Sequence, residues 1–203
     1  MKNLPAKLYL GSKVNSNSQA FQDIFVLSLF GGNGTYIEIG AHKPVKNSNT
    51  YKLEVEHNWR GYSIEFNNDL KKFWDKHPER RNKVYWTNAL EFDHTQAIKE
   101  NNLDTHINYL SCDIEPPENT FSALKRIIEQ GITFDCITFE HDLYQAKKDF
   151  NIIAINFLAQ YGYKVAVSDV YYLNENNHFE TWFIKNDIEF PKCVYKEWIK
   201  NIL

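Results

Sequence analysis

Long apolar runs are missing from this chain. No stretch approaches the roughly 18 consecutive apolar residues that a bilayer crossing needs, and the opening MKNLPAKLYLGSK is too short in apolar residues for a secretory leader. No membrane span is expected, and a cytoplasmic location follows. Cysteine is scarce: Cys112, Cys136 and Cys193 are odd in number and far apart, with no CxxC pair. That excludes a zinc ribbon or a dithiol redox site and leaves small, buried core thiols. A basic excess is also lacking, because 23 Lys and Arg stand against 26 Asp and Glu, for a net charge of -3. Such a chain has no field to gather long phosphate backbones, so nucleic acid is not an expected partner. The 8 glycines and 6 prolines are scattered as punctuation, with no linker and no repeat. One domain over 1–203 is expected, with 1–34 as an N-terminal extension and helix and 35–203 as the core.

What is present is the material of a packed core: 43% hydrophobic and 15% aromatic residues. Most of the tryptophans and the Tyr171-Tyr172 pair are expected in that core. The pattern alternates. Helical spacing of Phe21, Ile24, Phe25, Leu27 and Leu29 predicts a helix over 18–30, stopped by the glycines after it. A buried strand follows over 36–39, then a helix over 48–57 with Ser48 as its N-cap. Strand 62–65, helix 69–76 and strand 83–87 come next, followed by strand 107–112, helix 120–130, strand 136–139 and helix 147–160. The runs 163–172 and 178–184 read as strands joined by a hairpin at 174–177. This is an α/β domain: a mostly parallel, seven-stranded sheet covered on both faces, closed by an antiparallel C-terminal hairpin.

In such sheets, ligands bind beyond the carboxyl ends of the strands. Those ends are Gly40 onward, Glu65 onward, Asn88, Asp113 and Glu140. Gly40 stands where the backbone turns sharply, but His42 and Pro44 occupy the places where a dinucleotide fingerprint puts its further glycines. A nicotinamide cofactor is therefore disfavoured. Glu65 closes a strand 25 residues after Gly40, the placement of an acid that accepts from two ribose hydroxyls. Lys71-Lys72 and Arg80-Arg81 read as a solvated helix face. His57, His77, His94, His106 and His178 read as surface or packing residues.

Six segments in order, Ser18-Gln-Ala-Phe-Gln-Asp23, Tyr36-Ile-Glu-Ile-Gly-Ala41, Ser48-Asn-Thr-Tyr51, Trp59-Arg-Gly-Tyr-Ser-Ile-Glu65, Tyr109-Leu-Ser-Cys-Asp-Ile-Glu115 and Glu180-Thr-Trp-Phe183, resemble the FkbM-type methyltransferases. The resemblance spans nearly the whole chain. It implies the Rossmann-like class I fold, S-adenosylmethionine as cofactor, and oxygen methylation of a sugar hydroxyl or another small polar or glycan acceptor. Carried over by position, Glu38, Gly40, Ala41 and His42 would hold the methionine part. Ser48, Asn49 and Thr50 would face its carboxylate. Glu65 would take the ribose, with Phe66 and Asn67 beside it, and Asn88 and Ala89 would line the adenine. Lys43-Pro44 and Pro116-Pro117 depart from the family pattern, which leaves open a cofactor-binding module without catalysis in a glycan-assembly complex. A nucleotide-sugar oxidoreductase is the further alternative.

Catalytic groups are expected after strands four and five. Asp113, Glu115, Glu140 and His141 are the candidates for aligning and deprotonating an acceptor. By likeness to catechol-type oxygen methyltransferases, Asp113, Glu140 and His141 would hold a divalent ion such as magnesium or manganese. His141 as a metal-free base, or as a structural residue, stands beside that reading. With no room for a lid, a homo-oligomer that helps to close the site is a further expectation.

Overall fold

The computed structural model of the protein describes residues 15–171 and 178–189. Seven strands form one sheet: β1 (Thr35–Ile39), β2 (Arg60–Glu65), β3 (Lys83–Trp86), β4 (His106–Cys112), β5 (Thr133–Glu140), β6 (Tyr163–Tyr171) and β7 (His178–Lys185). Their order is β3-β2-β1-β4-β5-β7-β6. The first five run parallel, while β7 inserts antiparallel between β5 and β6. The expected mixed sheet and its antiparallel closing pair are thus observed. The 174–177 turn lies outside the described residues.

Strand alternation divides the core. The odd positions of β1, Ile37 and Ile39, pack with Ile64, Leu110, Cys112, Ile137 and Phe139. Over this face lie α4 (His94–Glu100), α5 (Pro117–Glu129) and α6 (Phe150–Ala159), contributing Ile98, Leu124, Ile127 and Leu158. The opposite face carries Tyr36, Tyr109, Cys136 and Trp182 under α1 (Gln22–Phe30) and α2 (Tyr51–His57). Each large apolar side chain withdrawn from water in this way contributes about 1.5–3 kcal/mol. Cys112 and Cys136 are buried free thiols, as their apolar surroundings in the sequence suggest, while Cys193 lies outside the described residues.

Helix starts differ from the expectation for local reasons. The first helix begins at Gln22 rather than at residue 18, because Phe21 adopts a left-handed conformation with φ of 67°. The preceding turn wraps around the Asp23 carboxylate, which accepts from Ser16 Oγ, Ser18 Oγ and the Asn17 amide. Ser48 is not the N-cap of α2; Thr50 is, although Ser48 Oγ still accepts from the Tyr51 amide at 3.1 Å. A 3-10 turn, Asn68–Leu70, leads into a short α3 (Lys71–Trp74). The helix α4 was not expected at all. Its signal was present in Asp93, whose carboxylate accepts from the Gln96 amide at 3.0 Å.

Candidate cofactor and acceptor site

The order of strands reverses between β1 and β4, and the site gathers above that switch. Gly40 turns the chain with φ of 89°, and a Cβ there would collide with the carbonyl of Asp113. Only glycine combines that conformation with so close an approach. The amides of Gly40 and Ala41 both donate to Ile64 O, at 3.0 and 3.1 Å, and the Asp113 amide donates to Ile39 O at 2.9 Å. The tips of β1, β2 and β4 are thereby tied to one another.

Glu65 ends β2 half-buried. Its Oε2 accepts from the His42 amide at 2.8 Å and its Oε1 from the Asn67 amide at 2.7 Å. Each carboxylate oxygen keeps a further lone pair for a hydroxyl donor. Beyond it opens a cleft of about 260 Å³ lined by Ile64, Phe66, Thr87, Asn88, Ala89, Leu90, Ile114, Glu115 and Asn119. Phe66 is 73% exposed, a large apolar ring left at the edge of a concave surface. Asn88 and Ala89, expected to line an adenine, and Phe66, expected beside the ribose, lie in this wall. Thr87, Leu90, Ile114 and Asn119 join them without having been expected.

The loop from Gly40 to Thr50 is held from below. Arg80 was expected in a solvated face, yet it is 8% exposed and its guanidinium reaches beneath this loop. Its Nε donates to Glu54 at 2.7 Å, its Nη1 to Pro44 O at 2.7 Å and Ser48 Oγ at 3.0 Å, and its Nη2 to Thr50 Oγ1 at 2.9 Å. The Trp74 ring lies 4.6 Å from its Cζ. Hydrogen bonding and ring stacking outweigh the cost of burying the charge. Glu54 also accepts from the Asn82 and Arg81 amides and from Tyr36.

This network changes the roles expected for three residues. Glu38 is 2% exposed and accepts from Thr50 Oγ1 at 3.0 Å and Ser63 Oγ at 2.7 Å. Burial pushes its carboxyl up to about 7, against the pull of Arg80. The Thr50 hydrogen is committed to Glu38, so this hydroxyl serves the network instead of facing outward, whereas Ser48 accepts from Arg80 and the Tyr51 amide. Asn49 is different. Its Nδ2 donates to Ser111 Oγ at 3.0 Å, while its buried Oδ1 has no hydrogen-bond partner among the described residues. An orphaned acceptor in this loop fits a ligand that brings its own donor.

At the tips of β4 and β5 the carboxyl groups of Asp113 and Glu140 lie against each other. Burial pushes both up, Asp113 to about 6 despite the contact with Glu140, and Glu140 with the charge of Asp113 adding to the effect. Such a pair titrates as a unit and favours a state in which the two carboxyls share one proton. Asp142 and Glu180, neither of them expected here, add negative charge from the loop after β5 and from β7. Glu115 is exposed at the cleft wall, and its charge also reaches Asp113.

The expected metal triad is not assembled. His141 is fully buried; its Nδ1 accepts from the Leu143 amide at 3.2 Å, which leaves Nε2 to donate to Thr181 Oγ1 at 3.2 Å. Both ring nitrogens are engaged, and burial lowers its pKa to about 4, so the ring serves as a neutral strut. Among the described residues no group of three His, Cys, Asp or Glu is placed to hold a metal ion. With both of its nitrogens engaged, His141 is not available to join Asp113 and Glu140 as a ligand.

No family model and no curated protein matches this chain. Solved structures do. Magnesium protoporphyrin IX methyltransferase from Synechocystis PCC 6803, with bound SAM, superposes with a TM-score of 0.56 at 10% identity, over 89% of each chain. Human methyltransferase-like protein 13 in complex with SAH gives 0.54 at 11% identity, over 90% of this chain and 88% of that one. Aeropyrum pernix fibrillarin with natively bound S-adenosyl-L-methionine gives 0.51 at 14% identity, over 88% and 73%. The chain therefore has the Rossmann-like fold of the class I methyltransferases.

Proposed function

We propose that the protein is an S-adenosylmethionine-dependent methyltransferase acting on a hydroxyl of a small polar acceptor, a sugar being the reading carried by its FkbM-type motifs. The observation that carries the cofactor half is the cleft at the strand-order switch, walled by Ile64, Phe66, Asn88 and Ala89 around the carboxylate-bearing tip of β2. Glu65 would accept from the ribose hydroxyls, and Asn49 Oδ1 would accept from the methionine ammonium. When bound, S-adenosylmethionine supplies an electrophilic methyl group on a sulfonium.

The acceptor half rests on Asp113 and Glu140. A hydroxyl must lose its proton as it attacks, and Asp113 is the group poised to take it. Asp113 and Glu140 share one proton, so the pair presents one base rather than two repelling anions. The surrounding acidic groups favour an acceptor without phosphate near the reacting oxygen. The prolines that raised the alternative of an inactive module have structural places: Pro44 is buried with its carbonyl on Arg80, and Pro117 begins α5, where a missing amide hydrogen costs nothing.

Isothermal titration with S-adenosylhomocysteine tests the first half. Saturable binding near one ligand per chain is the expected result, and no heat from folded protein would refute it. Formation of S-adenosylhomocysteine with hydroxyl-bearing sugars, absent in Asp113→Asn, tests the second; cofactor binding without turnover across the panel would favour the inactive module.

A further inference from the structure

We infer that Arg80 is a positioning residue for the methionine end of the cofactor, setting the Gly40–Thr50 loop from beneath without touching the ligand; this rests on the cofactor reading above. Phosphate-binding loops in related folds owe their shape to repeated glycines. Here Gly40 is the only glycine between residues 35 and 60, and the loop runs on through His42, Lys43 and Pro44. Its shape needs another source.

Arg80 supplies it. A single guanidinium takes the Pro44 carbonyl, the Ser48 hydroxyl and the Thr50 hydroxyl, three points on one loop, at 2.7, 3.0 and 2.9 Å. It is anchored by Glu54 at 2.7 Å and covered by Trp74, whose own Nε1 donates to His42 O at 2.9 Å. Planar fork geometry is what allows three loop contacts and an anchor at once; a lysine ammonium, a point charge on a flexible stem, has no equivalent. The loop polar groups so held leave Asn49 Oδ1 as a buried acceptor without a partner among the described residues. Arg80 therefore fixes the segment that presents this oxygen, at the end of the site where the amino-acid part of the ligand would lie, away from the cleft walled by Phe66 and Asn88.

The test compares two ligands. S-adenosylhomocysteine carries the amino-acid part, and methylthioadenosine lacks it while keeping the adenosine. In Arg80→Lys, which retains the charge beside Glu54, affinity for S-adenosylhomocysteine should fall by about five- to tenfold, the effect of about one hydrogen bond. Affinity for methylthioadenosine should stay within about twofold of wild type. Equal losses for both ligands would show a general structural role and overturn the inference, as would unchanged S-adenosylhomocysteine binding. Should Arg80→Lys fail to fold, Ser48→Ala cuts one of the three loop contacts, leaves the Arg80–Glu54 pair intact, and is judged by the same split. Wild-type protein that binds neither ligand overturns the cofactor reading itself, and the inference with it.

Discussion

Replacing Glu180 by Gln should stabilise this protein at high pH and do little at low pH. Glu180 is 1% exposed and stands directly opposite Glu140 in the β5–β7 ladder. Burial disfavours the charge of a carboxylate so placed. Burial, with Asp113 adding to it, pushes Glu180 from 4.5 up to about 8, even though Trp182 Nε1 and Gln22 Nε2 donate to its Oε2 at 2.6 and 2.8 Å. A raised carboxyl means that folding takes up a proton. Its stabilising contribution is complete below the unfolded value near 4.5 and is lost as pH climbs through about 8. At roughly 1.4 kcal/mol per pH unit the ceiling is about 5 kcal/mol, and relaxation with water entry reduces it to an expected 1–3 kcal/mol, roughly. The amide oxygen of Gln still accepts from Gln22 and Trp182 but never ionises. Urea unfolding of both proteins at about pH 5, 7 and 9 measures the difference, which should grow steadily with pH. Contributions from Glu38, in the same direction, and from the depressed His94 and His141, in the opposite one, occur in both proteins and cancel. A difference independent of pH, or a variant less stable at about pH 9 than wild type, would refute the argument.

Three other substitutions probe the site and its scaffold. Gly40→Ala combines a left-handed φ with a collision against the Asp113 carbonyl, so a loss of more than about 3 kcal/mol in chemical denaturation is expected, with cofactor affinity abolished. Glu65→Ala should weaken S-adenosylhomocysteine binding by about 1.5–3 kcal/mol in titration calorimetry; unchanged affinity in folded protein would remove Glu65 from the ribose. Asp113→Asn should leave that affinity nearly intact while turnover falls by about a hundredfold or more, and equal losses in both would move Asp113 into the cofactor pocket.

Much of the fold was legible because it rests on local pattern. The alternation of apolar strands with amphipathic helices, and glycine stops such as Gly31 and Gly131, follow from side-chain periodicity and backbone freedom. The positions of Gly40 and Glu65 at strand ends were legible for the same reason. The short helix α4 escaped because its apolar face consists of little more than Ala97 and Ile98, and only Asp93 at its start marks it.

The sequence by itself determined the α/β alternation, the parallel sheet with its antiparallel close, and which residues stand at the carboxyl ends of the strands. Tertiary structure alone decided what those residues meet. Arg80 lies in a charged stretch that reads as surface, yet folding carries it beneath a loop 30 or more residues away in the chain, where Glu54 and Trp74 compensate its burial. His141 and Glu140 are neighbours in sequence, but a strand end sends their side chains apart, His141 to Thr181 and Glu140 to Asp113. Pairings of this kind depend on sheet register and side-chain direction across elements distant in the chain, and no local periodicity encodes them.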